Sequence, residues 1–154
     1  MQLPRQCSNV GCPPPLQEKQ NLQYLWLGQL SCRTIAVLFG IVVTGAGPHA
    51  GDIDTPRNGL DLEVWQHYHS YPGYIMLALI TLQLFSQLRV DRSLSNPITK
   101  TLVLLFVGTV IQAAIGVIQS RLGVPPLLVG AHMLGAAVLI SLLALQILRL
   151  RDKR

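Results

Sequence analysis

The chain of 154 residues is half hydrophobic, is charged at only 12% of its positions and has a formal net charge of +5. A soluble domain of this size carries about twice that charged fraction, and the charges here gather at the ends of long apolar runs, which excludes a water-soluble globular fold. The positive balance reads as membrane topology, with no nucleic-acid partner, because the basic residues flank apolar spans instead of forming one continuous face.

In chain order, residues 1–21 are a polar, Pro-rich leader (Cys12-Pro13-Pro14-Pro15) expected to be disordered or to lie on the membrane surface. Cys7 and Cys12 stand in C-x4-C spacing without the second pair that four zinc ligands require. Residues 22–154 read as one membrane domain. Its first span covers about 27–46, with Arg33 near the start and expected to snorkel to the headgroups. A loop rich in Gly, Pro and Asp follows to Glu63, and a second span covers about 65–88. The basic loop 89–100 contains the turn Ser95-Asn96-Pro97 and leads to a third span, about 101–119. The turn Gly123-Val124-Pro125-Pro126 opens the fourth span, about 127–148, and the chain ends in a basic tail. The predicted fold is an all-α, integral membrane four-helix bundle, multi-pass in the cell membrane.

Orientation follows from how the Lys and Arg residues divide between the two ends of the spans. Ten of them (Arg5, Lys19, Arg33, Arg89, Arg92, Lys100, Arg149, Arg151, Lys153, Arg154) fall on one side and only Arg57 and Arg121 on the other. Both termini are therefore expected in the cytoplasm, and the loop from Gly47 to Glu63 and the Pro125-Pro126 turn outside.

Histidines are the informative residues. His132 stands alone in the fourth span, about 9 Å below its external end at 1.5 Å per residue. An ionisable side chain at that depth marks function by default. His67 and His69 open the second span, which runs parallel to the fourth, so that one of them can face His132 at similar depth. Two residues apart on a helix, they point about 200° from each other, and only one can serve. Paired imidazoles across a bundle, flanked by the small residues Gly116, Gly130, Ala131 and Gly135, suit a heme iron with both axial positions filled. A non-heme metal would want three or more clustered ligands, and the spans offer no buried carboxylate. On the external side Arg57 and Arg121 are the only basic residues, each able to pair a heme propionate bidentately. Gln112 and Gln119, seven apart, share one face of the third helix, where hydrogen bonding between helices is the expected role.

The string Val42-Val43-Thr44-Gly45-Ala46-Gly47-Pro48-His49-Ala50-Gly51-Asp52, then Arg57 and Leu60, a histidine entering a helix, Gln112 to Gly116, and Gly130-Ala131-His132-Met133-Leu134-Gly135 together resemble the heme A synthase family. The resemblance covers about residues 28–148 and is to the C-terminal half of that eight-helix enzyme. It implies a b-type heme between His69 and His132, His69 matching the family's spacing better than His67, and a part in oxidising the C8 methyl of heme O to the formyl of heme A for terminal oxidases. Family members carry, in the substrate half, a glutamate three residues before a ligand histidine; here that position is Gln66, which cannot serve as a base. The likeness is thus to the cofactor half, with heme O as substrate only if the unit pairs with a second four-helix half or a copy of itself. It further implies heme O synthase and an electron donor as partners. Two other readings stay open: a four-helix bis-histidine cytochrome b that only transfers electrons, and a heme-free assembly or interaction protein.

Overall fold

The computed structural model describes residues 16–48, 54 and 56–152. Four helices follow one another, α1 (Leu16–Ala46), α2 (Leu62–Val90), α3 (Pro97–Arg121) and α4 (Pro126–Asp152), with no strand among the described residues. Each contains a stretch long and apolar enough to cross a bilayer, the length criterion being about 20 residues. In such a stretch the helix is favoured because it satisfies every backbone polar group within the segment.

The helix ends obey ordinary capping chemistry. Asp61 caps α2 by accepting from the backbone N–H of Val64 at 3.0 Å, and Asn96 caps α3 by accepting from Ile98 N–H at 2.9 Å with Pro97 in the first turn. α1 begins at Leu16, inside the segment read as leader, because Gln17-Glu18-Lys19-Gln20 are good helix formers that extend the span. The rest of that leader, with Cys7 and Cys12, and the loop residue His49 lie outside the described residues.

α1 packs antiparallel on α2 and α3 on α4, the two hairpins meet mainly through α2 and α3, and α1 and α4 touch only slightly. The buried apolar core is small: Met76, Ile80, Leu105, Leu139 and Leu143 form one cluster. Large apolar side chains such as Ile41, Ile75, Leu82, Phe85 and Leu134 are exposed on the outside, as expected of a surface that faces lipid tails and not water. At the end of the bundle that holds the α2–α3 loop, polar groups tie α2, α3 and α4 together. Asn96 Nδ2 donates to Asp91 at 2.7 Å, Gln87 Nε2 to Thr99 at 3.1 Å, and Arg149 reaches across from α4 to the Pro97 carbonyl at 2.7 Å and to the Thr101 hydroxyl.

One expectation is overturned. Arg33 does not snorkel outward; it is buried in the bundle at 7% exposure, with Nη2 3.5 Å from the sulfur of Met76 on α2. α1 continues for 17 residues before it, which sets Arg33 near mid-span instead of at a rim.

Candidate functional site

The structure brings His69 and His132 together. Their helices, α2 and α4, have no backbone contact, yet the two imidazoles reach across the space between them to ring centroids 6.1 Å apart, with planes inclined at 71°. Each ring lies about two helical turns from the end of the bundle that carries the α1–α2 and α3–α4 connections.

Each histidine rests in a cradle on its partner helix. His69 Nδ1 lies 2.8 Å from the carbonyl of Ala36 on α1. A carbonyl only accepts, so Nδ1 carries the hydrogen and Nε2 keeps its lone pair, the arrangement that prepares an imidazole for a metal. One turn further on, Gly40 leaves room for the ring: a Cβ there would stand 3.2 Å from His69 Cε1. On the other hairpin a Cβ at Gly116 would stand at the same 3.2 Å from His132 Cε1. Gln112, one turn before Gly116, donates from Nε2 to the His132 carbonyl at 2.5 Å, and its other amide atom fills the space that Gly135 leaves open. His132 Nδ1 is buried and has no hydrogen-bond partner among the described residues.

These correspondences extend along the helices. In α2 the buried positions after His69 are Pro72 and then Met76, Ile80 and Gln83; in α4 the last three have counterparts in Leu139, Leu143 and Gln146 after His132. The spacing of seven, eleven and fourteen residues is the same, so both helices turn one equivalent stripe inward. On α1 and α3 the pairs Gly40/Gly116, Ala36/Gln112, Arg33/Thr109 and Gln29/Leu105 are likewise in register, 76 residues apart. The bundle is two copies of one hairpin design, and the histidine pair lies where they face each other.

The remaining sequence-predicted residues lie elsewhere. His67 is exposed on α2, as is Glu63 in the first turn of that helix, and Arg121 is exposed at the end of α3. Arg57, also exposed, donates to the Pro48 carbonyl at 2.6 Å. Gln66 is half-buried, and Gln119 keeps a buried Oε1 without a partner among the described residues. Sequence reasoning missed the inward residues Gln29, Arg33, Gln83 and Gln146, all buried. The matching H-x6-[M/L]-x3-[I/L]-x2-Q runs of α2 and α4 were the signal for the last two.

The residues present fit a heme. An iron held at about 2 Å by one nitrogen of each imidazole, with each ring centre about 1 Å beyond its nitrogen, sets the two centres about 6 Å apart, which is the separation found. Among the described residues no three of His, Cys, Asp and Glu come together as a bare metal ion would need.

A family model described as COX15-CtaA, cytochrome oxidase assembly protein, matches residues 60–154, which include both histidines and the whole of α2, α3 and α4. No curated protein and no solved structure matches the chain.

Proposed function

The chain belongs to the COX15-CtaA family of cytochrome oxidase assembly proteins, and from that premise we propose that it binds one b-type heme between His69 and His132 and takes part in making heme A from heme O. The observation that carries this reading is the pair of imidazoles at 6.1 Å, each seated on a small-residue cradle, across a space that no backbone contact closes. His69 would ligate through Nε2, its tautomer held by Ala36, and His132 through the matching nitrogen, held in place by Gln112 and Gly116. Bound there, heme supplies reversible one-electron transfer.

The protein's own contribution is to fix both rings, to surround them with apolar side chains and to keep water from the iron's two axial positions. A heme held by His69 and His132 would let this unit relay electrons, and the methyl oxidation would fall to a second four-helix unit, a different chain or another copy. The presence of Gln66 where the family's substrate half carries a glutamate, and the exposure of Glu63, support that division. The excess of basic residues at the opposite end of the bundle supports placing the histidines in the outer leaflet, with both termini cytoplasmic.

The test has two parts. Purified protein expressed with ample heme supply should show the sharp α and Soret bands of a low-spin bis-histidine heme, and pigment extraction with mass analysis should return heme b; absence of any heme would overturn the proposal. In a host lacking its own synthase, heme A should form from heme O when the chain is expressed with a partner half. Bound heme without any heme A would leave a cytochrome that only transfers electrons, and the biosynthetic part would fall.

A further inference from the structure

Arg33 is the one charged side chain buried inside the spans among the described residues. It is 7% exposed, its Nη2 meets only the soft sulfur of Met76, and Nε and Nη1 are buried without any hydrogen-bond partner among those residues. Guanidinium stays charged, and an unpaired charge at this depth is costly. Among the described residues no counter-charge stands nearby. Of its seven acidic residues only Glu63 falls within a span, and it is exposed in the first turn of α2, at the far end from Met76. The equivalent position on the other hairpin shows what a self-sufficient residue looks like there: Thr109, 3% exposed, satisfies its hydroxyl on the Leu105 carbonyl at 2.7 Å. Arg33 departs from that solution, and two of its nitrogens await an acceptor.

Its position relative to the histidines is specific. Arg33 precedes Ala36, the residue that holds His69, by three residues on α1. Its guanidinium lies at the level of Met76, seven residues beyond His69 on α2 and hence about 10 Å along the axis. The line joining the two rings crosses the bundle from α2 to α4, so a porphyrin held by both would extend along the bundle, toward the level of Met76. A distance of this order is the reach of a propionate arm from the iron. The alternative anchors at the other end, Arg57 and Arg121, are both exposed, and Arg57 already donates to Pro48.

On this basis, and resting on the heme reading above, we propose that Arg33 is the carboxylate-binding residue of the site. It receives a propionate of the porphyrin by charge-assisted hydrogen bonds from Nε and Nη1, and so turns the propionate edge toward the α2–α3 end of the bundle and the uncharged edge toward Arg57 and Arg121. Arg33 lies outside the stretch matched by the family model, so the assignment depends on the packing of α1 alone.

The experiment is an absorbance titration of the full purified chain in detergent with iron protoporphyrin IX and, separately, with its dimethyl ester, in which both carboxylates are blocked. The unaltered protein should hold the diacid at least about tenfold more tightly than the diester, both with low-spin bis-histidine bands. Arg33→Met should weaken the diacid to the level of the diester while leaving the diester and the band positions unchanged. Arg57→Gln and Arg121→Gln should keep the preference intact. Equal affinity for the two porphyrins in the unaltered protein would overturn the assignment without recourse to any variant. So would a preference that survives Arg33→Met or disappears in Arg57→Gln or Arg121→Gln. Failure of the unaltered protein to give low-spin bands with either porphyrin would instead remove the histidine site itself, and Arg33's role with it.

Discussion

The two hairpins solve one problem with different chemistry. In both, a helix presents a histidine to the centre, and the preceding helix supports it with a glycine that admits the ring and a residue one turn before it that holds the ring or its backbone. On α1–α2 the support comes from the backbone, through the Ala36 carbonyl. On α3–α4 it comes from a side chain, Gln112, bonded to the backbone of His132 itself. Further from the histidines the divergence grows: α1 turns Gln29 and Arg33 inward where α3 turns Leu105 and Thr109. Among the described residues both hairpins hold buried polar atoms without a partner, on Gln29, Arg33 and Gln83 in α1–α2 and on Gln119, His132 and Gln146 in α3–α4, but only α1–α2 places a buried charge among them. A repeated design keeps the histidine geometry in both hairpins and leaves one of them free to carry a buried charge.

If the hairpins are equivalent at the iron, His69→Ala and His132→Ala should fail alike. Each is expected to lower heme retention by more than about 100-fold, since ligand loss should exceed the 10–100-fold typical of losing an outer-shell partner, and to abolish the low-spin spectrum. A variant that kept its bands would break the equivalence and dismiss that ligand. Next in size is Gln29→Leu, which makes α1 resemble α3 at Leu105. Gln29 Nε2 donates to Gln83 Oε1 at 2.7 Å, so the single change strands a buried amide and should cost about 1–3 kcal/mol in detergent unfolding. The double change with Gln83→Leu should recover most of that loss; a double variant no better than the single would mean that the amide pair is not the source of the cost. Smaller again are Gly40→Ala and Gly116→Ala. Each added methyl presses the adjacent Cε1 from the same distance, so retention should fall by about tenfold in both, and a clear inequality between them would show that one cradle yields more easily.

Much of this was legible in the sequence, for a physical reason: a bilayer tolerates so few ionisable groups that the charges mark the helix ends and the histidines inside spans stand out. His69 and His132 could be matched by depth because both follow a connection on the same side. Which face of each helix turns inward was harder to read. All four helices are apolar nearly all round, so no amphipathic stripe distinguishes the core face from the lipid face. Arg33 shows the consequence. With the first span taken to start near Leu27, a snorkelling arginine is the economical expectation, whereas the helix begins at Leu16 and carries Arg33 to the centre. Only pairwise packing, read through the repeat of buried positions in α2 and α4, resolves the face.

The connections extend the contrast to the smallest expected effect. Among its described residues the α1–α2 connection turns left-handed at a glycine, Gly59 with φ 73°. The α3–α4 connection needs two such residues in succession and supplies Gly123 at φ 73° and then Val124 at φ 61°. Valine is poorly suited to that region because its branched Cβ crowds the carbonyl, and the following Pro125 narrows its choices further. The conformation is enforced because Val124 N–H donates to the Gln119 carbonyl at 2.8 Å, closing the end of α3, and Pro126 must start α4 at once. Val124→Gly should relieve strain of about 1–3 kcal/mol and lose about 0.5–1 kcal/mol to the greater freedom of the unfolded chain. The expected net gain is about 1 kcal/mol, seen as a rise of a few degrees in Tm with the heme spectrum unchanged. A fall in Tm would mean that the valine side chain contributes packing worth more than the strain. A shifted spectrum would mean that this turn, and not the glycine and glutamine beneath it, sets the position of His132.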